Sequence, residues 1–356
     1  MGFFDFLKSK NSEQEKKMEI DPEESKKWVN KGSEYTGKFK FDDALQCYKY
    51  AVQTDPKNSM AWGNLGSLYL NFGKLDEALN CSEKALELEP DNYAALTTKA
   101  TALGGIGKIE IALMLYDRAI ELQPNIPLTW SRKGELLSSH GRNEEAAECY
   151  SKALLLDPKD IGNWNNKGVA LMTAGRFDEA IQCFDKVLEI SPKHEIAWEN
   201  KKRALNASYE FKNALMRCDT AISSRQSDPG AWLEKGKTLF DYGRKKESIG
   251  IFDKVISIDN KNSMAWLMKG CALQFTSETI KQGFECFETV VKIDPKNATA
   301  WYNMALLSER EDKFEEALKY YDRALALEPN AEQVKEGRKS CLEAIQKEEK
   351  RKSIRK

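Results

Sequence analysis

Residues 59–92 decide the fold, and they read SMAWGNLGSLYLNFGKLDEALNCSEKALELEPDN. Apolar residues recur at helical spacing before and after Gly73, and Pro90 follows the second run. Glycine just after a helical run is typical of a helix end in the left-handed conformation, and proline cannot continue a helix. The stretch therefore predicts two helices joined by a tight turn.

The same unit recurs along the chain. Most of the eight tryptophans lie 34 residues, or twice that, from the one before, and the last follows after 35. They are Trp28, Trp62, Trp130, Trp164, Trp198, Trp232, Trp266 and Trp301. A period of this length indicates a solenoid in which each unit packs only against its neighbours. Function is therefore expected on the surface of the solenoid.

The repeated pattern, Trp62-x2-Leu65-Gly66-x2-Tyr69 followed by alanines and Pro90, resembles the tetratricopeptide repeat. The resemblance implies an all-α, right-handed α-solenoid (superhelix) of helix-turn-helix units with a C-terminal capping helix. The nine repeats expected are 25–58, 59–92, 93–126, 127–160, 161–194, 195–228, 229–262, 263–297 and 298–331. Residues 1–24 form a Phe-rich segment with a polar linker, and residues 332–356 a capping helix and basic tail.

Three positions of the repeat predict how its two helices pack. Position 8 is usually glycine, position 20 alanine and position 24 an aromatic residue, as in Gly168, Ala180 and Phe184. Small and large side chains that alternate across facing helices fill a layer at interior density.

Repeats 6 and 8 depart most from the pattern. Repeat 6 has Lys202 at position 8, Tyr209 at position 15 and Gln226 at position 32. Repeat 8 carries one extra residue within 275–281. Two interpretations stay open: drift that well-packed neighbours tolerate, and a local change of stability or superhelical pitch.

Composition narrows the class of protein. The net charge of −1 favours neither a nucleic-acid binder nor a trap for acidic ligands, so nucleic acid is not an expected partner. Five of the eight cysteines share repeat position 23, which predicts reduced, space-filling thiols rather than disulfides. No signal peptide or membrane span is evident, and a cytoplasmic location is expected.

Both termini differ from the repeats. Phe3, Phe4 and Phe6 are apolar residues in a short N-terminal segment that could dock on the chain itself, on a partner or on a membrane surface. Residues 347–356 are expected to form a solvated basic tail.

The resemblance also implies a ligand groove lined by the first helix of each repeat. Position 6 faces this groove, and asparagine is its commonest residue. The residues there are Asn30, Asn64, Thr98, Arg132, Asn166, Asn200, Glu234, Met268 and Asn303. An amide side chain can bond both the N–H and the carbonyl of a peptide, so the file predicts an asparagine ladder. The alternative is that asparagine is simply a common solvated residue on this face.

Repeats 7 and 8 are more apolar on the same face. Phe240, Met264, Met268, Cys271 and Phe275 predict a pocket for hydrophobic anchors of a peptide. The alternative is that this apolar stripe belongs to the core.

No catalytic or cofactor motif emerges. Residues 104–108 mimic a phosphate-binding loop but lack its first glycine and its final Ser or Thr, and they lie between helices. His140 and His194 stand in separate turns without metal-ligand spacing. The carboxylate clamp of chaperone-tail binders is absent too, since Leu128 stands where a lysine is needed beside Arg132.

The sequence therefore predicts a non-enzymatic scaffold or adaptor, without cofactor or metal, that binds an extended peptide or partner protein in its concave groove. One alternative is a scaffold recruited to a membrane surface through its Phe-rich N-terminus. Another is a regulatory subunit of an enzyme complex.

Overall fold

A computed structural model describes residues 20–274 and 277–354, with the side chains of 277–278 and of 347–354 left aside. Eighteen helices and no strand occur in this described part. The chain divides into two compact units, Met1–Leu136 and Leu137–Lys356, and α7 crosses the boundary between them. The all-α helical-repeat class is confirmed.

The first unit holds α1–α6 and most of α7. Their bounds are Pro22–Gly37 (α1), Phe41–Thr54 (α2), Ser59–Asn71 (α3), Leu75–Leu88 (α4), Tyr93–Gly105 (α5), Ile109–Leu122 (α6) and Pro127–Ser139 (α7).

The second unit holds the remaining helices. Their bounds are Asn143–Leu156 (α8), Ile161–Thr173 (α9), Phe177–Ile190 (α10), Glu195–Ser224 (α11), Pro229–Asp241 (α12), Lys245–Ile258 (α13), Ser263–Leu273 (α14), Ser277–Ile293 (α15), Ala298–Arg310 (α16), Phe314–Leu327 (α17) and Glu332–Ile354 (α18).

Each helix pair begins and turns by the same local chemistry. The first helix starts at a capping side chain, as where Asn58 Oδ1 accepts the backbone N–H of Ala61 at 3.0 Å. It ends before a residue with positive φ at repeat position 15, such as Gly73 at 70° or Gly175 at 72°. Phe39 and Asp312, both at 57°, adopt the same conformation without being glycine.

The contact between position 8 and position 24 joins the two helices of a pair. A Cβ on Gly168 would lie 2.6 Å from Cε1 of Phe184, and a Cβ on Gly270 would lie 2.6 Å from Cε1 of Phe287. Both rings are fully buried. The predicted close approach of the two helices is therefore present, and burial of such a ring contributes roughly 2–3 kcal/mol.

Successive repeats are joined through the tryptophan. The indole N–H of Trp62 donates to the carbonyl of Pro56 at 2.9 Å, across the turn between repeats. The same bond recurs at Trp130, Trp164, Trp198, Trp232, Trp266 and Trp301.

Repeat 6 is not a helix pair, contrary to the expectation of nine helix-turn-helix units. Residues 195–224 form one continuous helix, α11, of 30 residues. Lys202 fills the position of the packing glycine, Tyr209 that of the turn glycine, and Cys218 that of the aromatic ring. The packing glycine, the turn glycine and the ring are thus all replaced at once, whereas repeat 2 lacks only the ring, with Ser82 at position 24, and still folds as a helix pair.

The continuous helix α11 brings its neighbours on either side together. Phe211 of α11 packs against Phe177 and Tyr242, with ring centroids 5.8 and 5.2 Å away. The turns of repeats 5 and 7 meet backbone to backbone, since a Cβ on Gly243 would overlap the carbonyl oxygen of Thr173. Repeats 5 and 7 are thus in direct contact.

The end of the chain follows the expected cap and extends it. Val334 and Cys341 of α18 are buried against Ala317 and Tyr321 of the last repeat. The helix then continues to Ile354, so most of the expected basic tail is helical. In repeat 8, α14 is shortened to 11 residues and α15 lengthened to 17.

Candidate functional site

The file of residues at position 6 divides into two groups. Asn30 is exposed, and Asn64 and Asn166 are half-buried. Their amides form no hydrogen bond to another side chain or to the backbone within the described residues, so they remain available to a ligand. The asparagine ladder stays a prediction at these three positions.

The other two asparagines of the file, Asn200 and Asn303, have partners inside the protein. Asn200 is buried and its Nδ2 donates to Oδ1 of Asn165 at 3.2 Å. Asn303 is buried and donates to the carbonyl of Thr299, in its own helix, at 2.8 Å. The sequence pattern treated all five asparagines as equivalent, whereas the structure gives two of them a role in packing.

Thr98 and Arg132 lie at one cavity in the first unit. It encloses about 400 Å³ between the first helices α3, α5 and α7, with one ring from α6. The lining residues are Ser67, Leu70, Asn71, Tyr93, Ala94, Thr97, Thr98, Thr101, Tyr116, Leu128, Thr129 and Arg132.

Hydroxyl groups dominate the polar side of this cavity. The hydroxyls of Ser67 and Thr98 lie 2.8 Å apart, and those of Thr101 and Tyr116 2.7 Å apart. A further hydroxyl pair joins Tyr93 to Thr129. Burial raises the pKa of both tyrosines. Each hydroxyl therefore stays protonated at neutral pH and can both donate and accept.

Tyr93 and Tyr116 were missed as site residues in the sequence. Tyr116 stands at position 24, where aromatics were assigned to the core, and its ring is buried as expected. Its hydroxyl nevertheless reaches through to the first helix. Tyr48 does the same in repeat 1, 3.3 Å from the Ser33 hydroxyl. The presence of tyrosine rather than phenylalanine at position 24 could have indicated, from the sequence, that a hydroxyl reaches the first helix.

Arg132 supplies a cation at the edge of the same cavity. Its guanidinium lies 3.1 Å from the Glu135 carboxylate, and both side chains are largely exposed. An exposed pair of this kind is weak, so the guanidinium can exchange Glu135 for an acidic or carbonyl group of a ligand.

The residues of the predicted apolar pocket of repeats 7 and 8 differ in their burial. Phe240, Met268 and Cys271 are half-buried, and Met264 is exposed. Leu267 lies in the core cluster of repeat 8, against which Cys271 also packs. Phe275 lies outside the described residues, as do Phe3, Phe4 and Phe6.

A second cavity, of about 390 Å³, lies where repeats 4, 5, 7 and 8 converge within the second unit. Its charges are matched: Arg142 Nε donates to Glu145 Oε1 at 2.7 Å, and Lys246 pairs with Glu144. Burial lowers the pKa of Lys245, which also lines it. Sequence reasoning could not find this cavity because it arises only where α11 fails to fold back.

Two further kinds of feature are absent from the described residues. No set of three or more metal-ligating side chains is assembled there. Nor is any helix in that part of the chain both long and apolar enough to cross a membrane.

Comparison with known proteins agrees with the repeat architecture. Family models described as Tetratricopeptide repeat match residues 36–100, 127–160, 164–194 and 298–331. No protein with curated annotation matches the chain.

Among solved structures, MamA is 27% identical, with 48% of this chain and 93% of MamA covered, at a TM-score of 0.40. YrrB, described as a TPR protein with an unusual peptide-binding site, is 24% identical, with coverage of 55% and 97% and a TM-score of 0.41. Yeast Tom70 is 15% identical, with coverage of 91% and 96% and a TM-score of 0.38.

The matches to the family models fall on segments that carry the Trp–Gly–Ala pattern and fold as helix pairs. The chain is a tetratricopeptide repeat protein.

Proposed function

We propose that the chain is a protein-interaction scaffold without enzymatic activity, and that it binds an extended peptide segment along α3, α5 and α7. Tetratricopeptide repeat proteins generally act as scaffolds that bind proteins or peptides. The observation that carries the finer proposal is the hydroxyl-lined cavity formed by these three consecutive first helices.

The chemistry of this cavity suits a peptide backbone. An extended peptide presents N–H donors and carbonyl acceptors in alternation, and hydroxyls can satisfy either. Thr97 and Thr101 bond their own helix, to the carbonyls of Tyr93 and Thr97 at 3.1 and 2.9 Å, which leaves each oxygen a lone pair to accept from a ligand. Asn64, half-buried on α3, supplies an amide on the same helix as Ser67.

Arg132 adds selectivity for charge. Because a guanidinium binds carboxylates with two parallel hydrogen bonds, peptides with an acidic residue near one end are the preferred ligands. Leu70 and Leu128 provide apolar contact beside it.

A peptide library displayed on phage, selected against the whole chain, tests this proposal. Thr97→Trp fills the cavity from a half-buried position on α5, and it should abolish binding of the selected peptides. Glu87→Trp is the matched control, since it adds the same ring at an exposed site on the second helix α4 and should bind normally. Circular dichroism of both variants verifies folding.

Equal binding by the Thr97→Trp variant would place the ligand elsewhere and overturn the proposed groove. The charge preference is tested separately with Arg132→Gln. That change should weaken binding of acidic peptides by roughly tenfold while leaving neutral peptides unaffected.

A further inference from the structure

The continuous helix α11 presents an apolar stripe to solvent, formed by Trp198, Leu205, Tyr209 and Met216. These side chains are 54%, 50%, 71% and 63% exposed. In an α-helix the four positions lie within roughly 20° of one line, which runs for roughly 27 Å along the axis. Apolar side chains that are exposed together on one face mark a site where another molecule binds.

Equivalent side chains are covered elsewhere in the chain. Leu205 stands at position 11 of repeat 6, whereas Leu171, at the same position of repeat 5, is only 2% exposed. All eight tryptophans are described, and Trp198 alone among them is mostly exposed. In repeat 5 the second helix packs back against the first, whereas in α11 that half continues along the axis. The stripe therefore lies where the broken repeat leaves a helix uncovered.

The width of the stripe suits another helix better than a broad surface. Lys202 and Lys212 are exposed and lie roughly 40° to either side of its line, so the apolar face between them is narrow. An amphipathic helix that packs on a broad apolar surface carries an apolar face roughly 100° wide or more, whereas the seam between two helices is narrower. With both lysines included, the residues from Trp198 to Met216 follow one another at intervals of 4, 3, 4, 3 and 4, the spacing of such a seam. The occupant that fits is a single helix laid along α11.

The charge of the stripe determines what kind of helix fits. Lys202 forms no ion pair within the described residues, and Lys212 lies 3.2 Å from the Asp178 carboxylate in a pair whose side chains are both mostly exposed. An exposed pair of this kind is weak, so the Lys212 ammonium group can bind another carboxylate. Lysines at seam positions oppose a partner that brings further lysines and favour one that brings carboxylates. Charge complementarity therefore favours an acidic helix over a second copy of α11.

We propose that α11 binds one acidic amphipathic helix of a partner protein, with apolar side chains against the stripe and carboxylates against Lys202 and Lys212. The two lysines are ten residues apart in the sequence. The partner's carboxylates are therefore also about ten residues apart, which is roughly 15 Å along its axis. This surface uses none of the residues of the proposed peptide groove, so either proposal can fail without the other.

Fluorescence anisotropy of two labelled synthetic helices, titrated with the whole chain, tests this proposal. Both peptides carry leucine at the seam positions that face the stripe, with alanine and glutamine outside the seam. The acidic peptide has glutamate at the two positions that face the lysines, and the basic peptide has lysine there. The acidic peptide should bind roughly tenfold more tightly or better, because like charges across the seam oppose binding.

Three variants, with folding verified by circular dichroism, connect this preference to α11. Tyr209→Asp places a carboxylate in the middle of the stripe and should weaken binding of the acidic peptide by roughly tenfold or more. Ile196→Asp is the matched control and should bind normally, since Ile196 is 62% exposed on the same helix but lies roughly 160° from the stripe. Lys202→Glu removes one of the two attractive contacts and should abolish most of the preference for the acidic peptide.

Several outcomes would overturn the proposal. The wild type would bind neither peptide, or both equally, if no acidic helix fits the stripe. A preference that Tyr209→Asp or Lys202→Glu leaves unchanged would place the peptide elsewhere on the chain. Flotation with phosphatidylserine vesicles and sedimentation equilibrium of the wild type test the other occupants. Vesicle binding or dimerisation that Tyr209→Asp abolishes would assign the stripe to a lipid surface or to a second copy instead.

Discussion

Residues 161–190 and 195–224 are thirty residues each, lie next to each other in the chain, and fold differently. The first stretch forms α9 and α10, folded back at Gly175, and the second forms the single helix α11. Both begin with a capped helix and a tryptophan bonded to the preceding turn. The two stretches differ in the residues at their middle and in their second half.

The comparison shows that the turn residue alone does not decide the outcome. Phe39 and Asp312 take up the left-handed turn without glycine, so Tyr209 could have done so as well. The Gly168–Phe184 contact of the first stretch has no counterpart in the second, where Lys202 and Cys218 stand instead. Repeat 2 forms a helix pair with Ser82 in place of the ring, so the pair is lost only where the packing glycine, the turn glycine and the ring are replaced together.

The largest structural change is expected from restoring the packing glycine, the turn glycine and the aromatic ring that repeat 6 lacks. Lys202→Gly, Tyr209→Gly and Cys218→Phe together should refold α11 as a hairpin. The ends of a 30-residue helix lie about 45 Å apart, whereas paired helices lie about 10 Å apart. Electron paramagnetic resonance between labelled noncanonical residues at 195 and 224 measures this difference. The corresponding triple alanine variant should keep the long distance, and a long distance in both would refute this account of the hairpin.

Next in size is the loss of the ring at position 24. Phe184→Ala should lower the free energy of unfolding by roughly 3–5 kcal/mol, because it leaves a cavity over Gly168. Cys218→Ala, at the same repeat position in α11, should cost less than about 1 kcal/mol. Urea unfolding of the two variants measures the contrast, and equal losses would show that the ring is not what pairs the helices.

A smaller difference is expected between two turn glycines. Gly73→Ala should cost about 1–2 kcal/mol, since only the left-handed backbone is penalised and no atom lies within 4 Å. Gly243→Ala should cost roughly 1–3 kcal/mol more, because the new methyl group meets the backbone of Thr173. Unfolding midpoints give the comparison. Equal costs would mean that the turns of repeats 5 and 7 are not in contact in solution.

The smallest effect concerns pH. Burial raises the pKa of Cys183, Cys81 and Cys286 to about 11, from an ordinary value of 9.0. The unfolded chain releases these protons first, so stability falls as the pH rises from about 9 to about 11 and is unaffected below. Replacing the three cysteines by alanine should make the fall less steep in urea unfolding.

Most of the fold could be predicted because its determinants act within one repeat. Gly73, Trp62 and Pro90 each specify a local conformation, and repetition places the repeats one after another. The conformation of repeat 6 could not be predicted in this way. Lys202 and Tyr209 indicate that the repeat pattern is broken, but they do not indicate that a single continuous helix replaces the helix pair.

The candidate site could be predicted only in part for a similar reason. Thr98 and Arg132 were found from their position in the repeat and lie at the same cavity. The burial of Asn200 and Asn303 depends on the helices beside them, and the reach of the Tyr116 hydroxyl depends on the depth of its ring. These properties depend on how neighbouring helices pack, and the position of a residue within its own repeat does not determine them.

The shared hydrogen bond of the tryptophans has an optical consequence. Six indoles donate to equivalent carbonyls and are half-buried alike, so their fluorescence should overlap in one narrow band; they are those of Trp62, Trp130, Trp164, Trp232, Trp266 and Trp301. Trp198 keeps the bond, at 3.0 Å from the carbonyl of Pro192, yet it is mostly exposed. Iodide should therefore quench the fluorescence of Trp198 selectively. The extent of this quenching would report whether the surrounding face of α11 is exposed or covered.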